Sequence, residues 1–188
     1  MRVSGGAPGW HYRRVIVMER VLLGDLPLPA SRLAVRVAQL LAEDLPRLVM
    51  LRREPGAAVL ERRLARGHRC FAAWHEDRIV HAGWAAPHAA WIDFLEWEIP
   101  LGAGDVYQYD SFTAPDVRGL GVAALRVAWM ARHFQAEGAR RLLAVVWPGN
   151  PGAFRPLERV GYRRRGSIRA FRLGPWRRVI HGRSLSRQ

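Results

Sequence analysis

The sequence predicts a mixed α+β fold, a sheet of about six to seven strands flanked by about four helices, in a single domain. Two sequence patterns and the composition carry this reading. RCFAAWHEDRIVHAGWAA, residues 69–86, is two apolar runs around a polar tip, the pattern of a β-hairpin. VYQYDSFTA, VAALRVAWMARHFQAEG and ARRLLAVVW follow one another as strand, helix and a strand apolar on both faces, which makes one right-handed crossover and a parallel strand pair. With 188 residues, 49% hydrophobic and 24% charged, the chain is long enough to bury a core and too short for two ordinary domains.

Taken in order, HYRRVIVMERVL reads as a first strand and DLPLPA as a loop. Ser31 then opens a helical stretch, SRLAVRVAQLLAEDL, on apolar positions 33, 37, 40, 41 and 45, and Pro46 interrupts it. AAVLERRLARG is a second helix ended by Gly67. After the hairpin, PHAAWIDFLEWEIPLGAG is expected as a short amphipathic helix that brings Trp91 and Trp97 close to Trp74 and Trp84. PGNPGAFRPLERVG is a short helix with Asn150 as its N-cap and Pro151 in its first turn. YRRRGSIRAFRL closes the fold as strand, turn and strand.

The formal net charge is +14, and its distribution is uneven. Residues 1–117 hold as many arginines as acids, whereas residues 118–188 hold 16 arginines against Glu137 and Glu158 alone. Lysine is absent, so a coding bias toward arginine contributes, but a bias does not explain why acids vanish from one part only. An anionic ligand in that part is the reading that does. The N-terminus has no apolar signal segment and no stretch reaches the length of a membrane span, so a cytoplasmic protein is expected. Cys70 is the only cysteine and the histidines are scattered, so no metal site is expected.

Arg118, Gly119, Leu120, Gly121, Val122 and Ala123 lie where a strand ends and a helix begins. Backbone N–H groups there point outward from the positive end of the helix dipole, and glycine lets a phosphate approach closely. Gly119, Gly121 and Ala124 also satisfy a dinucleotide fingerprint, but too little chain follows for a dinucleotide domain, and Arg140 and Arg141 stand where a ribose-binding acid belongs. The six residues match the acyl-CoA loop R/Q-x-x-G-x-G/A of the GNAT superfamily. PDVRGLG resembles that family's P-E-x-R-G-x-G turn, and Asn150, Ala153, Gly161 and Tyr162 match its later N-x-x-A motif ending in G-F or G-Y. The resemblance covers residues 69–173.

The resemblance implies a mostly antiparallel twisted sheet whose one parallel pair splays apart around acetyl-CoA or another acyl-CoA. Pantetheine would pair with the backbone around Ser111, Phe112 and Thr113, and the pyrophosphate would sit on the loop, with Arg118 and Asn150 beside it. Residues 1–104 would form mainly the acceptor side, 105–173 the acyl-CoA core and 174–188 a basic tail. The implied reaction is transfer of an acetyl or other short acyl group to a primary amine by direct attack, aided by proximity and by a backbone N–H on the carbonyl.

Strand alternation puts Tyr107, Tyr109 and Ser111 on one face and Gln108, Asp110 and Phe112 on the other. Tyr109 falls where several relatives carry a glutamate, and Asp110, acting through water, is the favoured proton acceptor. Leu157 replaces the tyrosine that often protonates the departing thiolate, so Tyr109 serves or the thiolate leaves unaided. The acceptor is a small-molecule or protein amine, a homodimer is compatible, and neither a membrane nor nucleic acid is the favoured partner. Two alternatives compete: a catalytically idle GNAT fold that binds CoA or a partner, and an RNA or polyanion binder that uses RRRG and the basic tail. The second lacks visible aromatic interleaving on a sheet face.

Overall fold

The computed structural model describes residues 10–52, 56–92, 95–173 and 175–181. Ten strands and four helices follow in chain order: β1 (Trp10–Val21), β2 (Arg36–Gln39), α1 (Leu45–Leu51), α2 (Ala57–Ala65), β3 (Arg69–His75), β4 (Arg78–Ala86), β5 (Ala90–Ile92), β6 (Trp97–Ile99), β7 (Asp105–Thr113), α3 (Val122–Ala136), β8 (Arg141–Val146), α4 (Pro151–Arg159), β9 (Arg163–Leu173) and β10 (Trp176–His181). Eight strands form one sheet in the order β10-β9-β1-β8-β7-β4-β3-β2, and β5 and β6 pair separately. Among the described residues only β7 and β8 run parallel. The mixed α+β fold is therefore as expected, with eight strands in the main sheet.

Helices cover both faces. Phe71 of β3 packs with α3 and α4 residues such as Val127, Phe134 and Leu157. Its neighbours Cys70 and Ala72 point the other way, onto Leu48 of α1 and Leu60 of α2. The β5–β6 hairpin extends this second layer over Val15, Val17, Tyr107 and Ile168.

Four local expectations are corrected. Residues 31–41 are not a helix, which begins only at Ala42: Leu33, Val35 and Val37 pack together on the cluster around Val80 and Val117, which is the period of a strand, and β2 pairs with β3. Pro46 sits in the first turn of α1 instead of interrupting a helix, because a missing N–H costs nothing there. The segment after the hairpin forms β5 and β6, and it places Trp97 against His181 while Trp74 and Trp84 pack in a different cluster. RRRG is not a turn. β9 runs through it, and Val17 pairs with Gly166 while Met18 pairs with Arg164, so Arg165 is the extra residue of a β-bulge.

Part of the basic C-terminal segment, Trp176–His181, is an edge strand of the sheet, while the rest of it, like the N-terminal nine residues, lies outside the described residues. Exposed Tyr12, Phe171 and Trp176 share a face with Arg14, Arg169 and Arg178 there, so aromatic and cationic side chains do interleave on this sheet edge.

A second bulge matters more. Ala82 of β4 pairs with Phe112 and Trp84 pairs with Tyr109, so three steps of β7 face two of β4, and Asp110 takes a left-handed φ of 47° opposite Gly83. The guanidinium of Arg126, from α3, lies against this irregularity: a Cβ on Gly83 would come within 2.5 Å of Arg126 Nη2. Replacing Gly83 by alanine should therefore cost about 1–3 kcal/mol through overpacking. A thermal melt should fall by several degrees, and an unchanged melting temperature would refute this packing.

Candidate functional site

The β7–β8 ladder runs from Asp105↔Arg141 to Gln108↔Ala144 and stops, although both strands continue. Beyond that point a cleft of about 830 Å³ opens, walled by residues 108–113 of β7 and by Ala144–Trp147. Its ends are formed by Arg118, Gly119, Gly121–Ala124 and the exposed side of α4. This volume suits a large cofactor more than a metabolite of a few atoms.

Each sequence-predicted residue finds a place around it. Tyr109, Asp110, Phe112, Thr113, Arg118, Gly119, Gly121, Val122, Ala123 and Asn150 all line the cleft. Leu120 lies in the same loop, packed against the cluster around Val122. Gly119 and Gly121 have φ values of 79° and 91°, which glycine adopts without strain, and Gly121 is the N-cap of α3. The free N–H groups of the first turn follow directly. Asn150 caps α4, its Oδ1 accepting from the Ala153 N–H at 3.3 Å. Arg118, Arg126, Arg155 and Arg159 line the cleft, and among the described residues Asp110 is the only acid that does.

A strap the sequence did not reveal holds the loop. Ser31 Oγ donates to Leu120 O at 3.2 Å, the Arg32 N–H donates to the same carbonyl at 2.8 Å, and Arg32 Nη2 donates to Gly119 O at 2.9 Å. A Cβ on Gly121 would lie 3.0 Å from Ala30 O, so the loop glycine also accommodates this strap. Read as a helix cap, Ser31 gave no sign of it.

The bulge changes which side chains meet on β7, and the expected alternation is corrected accordingly. Tyr107 and Tyr109 stack in parallel at 5.7 Å, and Asp110 stays on their side of the sheet, toward α1 and α2. Its two oxygens accept from Arg52 and Arg63, each at 2.5 Å. The Arg63 guanidinium also sits over Trp84 and Tyr109. Tyr109 Oη is 2.5 Å from His68 Nδ1. Ser111 turns to the opposite face, where its Oγ accepts from Arg126.

Sequence reasoning also missed Arg126, whose spacing on α3 marks it only as one more interior position. It is fully buried. Among the described residues its partners are neutral: Nε donates to His81 Nε2 at 3.1 Å, Nη2 to Ser111 Oγ at 3.1 Å and Nη1 to Met130 Sδ. Burial lowers its pKa to about 10, partly offset by Tyr162 and Cys70, so it stays charged at neutral pH. Because His81 Nε2 accepts, its proton is on Nδ1, which donates to Thr113 Oγ1 at 2.8 Å. Leu157 lines the cleft without a polar group, and the Tyr162 hydroxyl is buried with no hydrogen-bond partner among the described residues. Among those residues no cluster of three or more His, Cys, Asp or Glu could hold a metal, and no helix is long and apolar enough to cross a membrane.

No family model matches the sequence, and no curated protein matches it. Solved structures do. A GCN5-related N-acetyltransferase from Kribbella flavida superposes with a TM-score of 0.61 at 18% identity, over 95% of this chain and 63% of that one. An acetyltransferase of the GNAT family from Colwellia psychrerythraea gives 0.60 at 15% identity, over 87% and 57%. AAC(6')-Iy, in complex with the bisubstrate analogue CoA-S-monomethyl-acetylneamine, gives 0.56 at 18% identity, over 68% and 90%. The chain thus spans about three fifths of the first two proteins. Its fold is the GNAT fold, that of a class of acetyltransferases.

Two histidines make a prediction. Burial, then Arg63 and Arg66, lowers the pKa of His68, and burial, then Arg126, puts that of His81 well below its ordinary value. Both are neutral in the folded protein at pH 7. Their contribution to stability is complete above about pH 6.5, the unfolded value, and is lost as pH falls through the folded values. Urea unfolding should show lower stability at pH 5.5 than at 7.5, with a smaller difference in His81→Asn. Equal stability at both pH values would contradict the neutral assignment.

Proposed function

We propose that this chain is an N-acyltransferase, a single domain that moves an acetyl or other short acyl group from acyl-CoA to a primary amine. The observation that carries the proposal is the end of the β7–β8 ladder at Gln108↔Ala144, with a glycine loop and four arginines around the opened cleft. Pantetheine extends along Phe112 and Thr113, and the pyrophosphate rests on the N–H groups of Gly119 to Ala123. The Arg118 guanidinium and the Asn150 end of α4 flank it. Residues 105–173 form this core, and the acceptor approaches from the α1–α2 side.

The amine nitrogen attacks the thioester carbon, and the tetrahedral intermediate collapses with cleavage of the C–S bond. Asp110 attracts the ammonium form of the acceptor, and a water on Asp110 accepts the proton the amine must lose. Tyr109 donates its hydroxyl proton to the departing sulfur and regains one from solvent, the part Leu157 is unable to play. His68 holds Tyr109 in place for this. AAC(6')-Iy, the structural neighbour in complex with a CoA bisubstrate analogue, supports CoA and a small amine as the partners.

Acetyl-CoA should raise the melting temperature, and Ala123→Glu should remove the shift by setting a carboxylate in the pyrophosphate position on an ordinary helical backbone. An equal shift in both proteins would refute the loop's role. Asp110→Asn and Tyr109→Phe should each lower kcat by about a hundredfold or more while keeping the shift. Leu157, together with an Asp110 whose oxygens are both engaged, favours one second reading, a GNAT fold that binds CoA without turnover. A full acetyl-CoA shift with no thiol released from any amine would establish it.

A further inference from the structure

The acyl-donor cleft meets a second, smaller recess on the α1–α2 side, and the two share Asp110 and Phe112. The recess is small, about 20 Å³, and its wall is apolar, formed by Leu48, Leu51, Leu60, Ala82 and Trp84, with Arg52 at the rim. Charge at this junction is net positive. Among the described residues Asp110 is the only carboxylate lining either cavity, and both its oxygens are taken by guanidiniums. Arg52 is 42% exposed, and its guanidinium and that of Arg118 both lie over the Phe112 ring, at 5.4 and 5.8 Å.

A polycationic amine such as an aminoglycoside needs several acids around its other ammonium groups. Among the described residues this junction offers one acid, paired with Arg52 and Arg63, and Arg118 lies over the neighbouring Phe112 ring. A molecule whose ammonium and carboxylate are close together fits instead: its ammonium lies toward Asp110 and its carboxylate toward Arg52, head to tail with the existing ion pair. The small apolar wall then takes a short aliphatic group.

We propose that the acceptor is a zwitterionic amine, an α-amino acid with a small aliphatic side chain, and that Arg52 selects it by its carboxylate. This rests on the acyltransferase reading, and the experiment separates the two. Thiol release from acetyl-CoA is measured with L-valine, with isobutylamine as valine without its carboxylate, and with spermidine and kanamycin as polycations, in wild type and Arg52→Gln. A melting-temperature shift with acetyl-CoA is recorded for both proteins.

The expected result is a kcat/KM for valine at least about tenfold above that for isobutylamine and above both polycations. In Arg52→Gln the ratio of kcat/KM for valine to that for isobutylamine falls toward one, chiefly through a raised KM for valine, while the acetyl-CoA shift stays intact, whatever the loss of the Asp110 ion pair does to both rates alike. Equal rates for valine and isobutylamine, a preference for spermidine or kanamycin, or acetyl-CoA binding without turnover of valine would each overturn the assignment of the acceptor. Absence of any acetyl-CoA shift would overturn the acyltransferase reading itself.

Discussion

The bulge of β7 at Asp110 and the guanidinium that fills the space at Gly83 are the constraint on which the rest of the site depends. A regular β7 would continue its ladder with β8 past Gln108 and leave no cleft. Asp110, in a left-handed conformation, adds one residue against β4 and bends the strand away. Arg126 then ties α3 to Ser111 and His81, and through His81 to Thr113, so the helix that follows the glycine loop is fixed to the strand that forms the other wall. Burying a guanidinium without a carboxylate is costly, and each of the three nitrogens is instead given an acceptor, with sulfur the weakest. The β7 wall and the glycine-loop end of the cleft are thereby held together by one side chain.

The uneven charge of the chain divides between two places. Arg118, Arg126, Arg155 and Arg159 surround the cleft, where an anionic ligand would offset them. Much of the remainder lies on β9 and β10 and is partly neutralised within the fold: Arg165 pairs with Glu19, Arg164 with Glu158 and Arg172 with Glu96. These pairs are largely exposed on the arginine side and contribute little stability each. The excess of arginine late in the sequence is thus only in part a signature of the ligand.

Much of the fold was legible because its signals are local. The hairpin tip at His75–Arg78, the glycines at 67, 121 and 138, and the buried run of β8 each state a turn, a cap or a core strand within a few residues. The failures came where long-range pairing decides. Residues 33–40 carry helix-like spacing, but residues 36–39 are claimed by the open edge of β3, and β5 and β6 pair across a segment with neither glycine nor proline. For the site, Arg118 and the loop glycines could be read directly, whereas the pairing of Asp110 with Arg52 and Arg63 could not. It depends on a bulge whose cause, Gly83 against Arg126, joins positions 43 residues apart.

The central claim is that the cleft between β7 and β8 holds acyl-CoA along the backbone beyond the bulge. Amide hydrogen exchange with and without acetyl-CoA tests it most directly, because it reads the backbone groups the claim names. The account predicts new protection at Thr113, whose N–H faces the cleft, and from Leu120 to Ala123, with little change in the distant β9–β10 edge. Binding that leaves those amides unprotected, or that protects β9 and β10 instead, would contradict it.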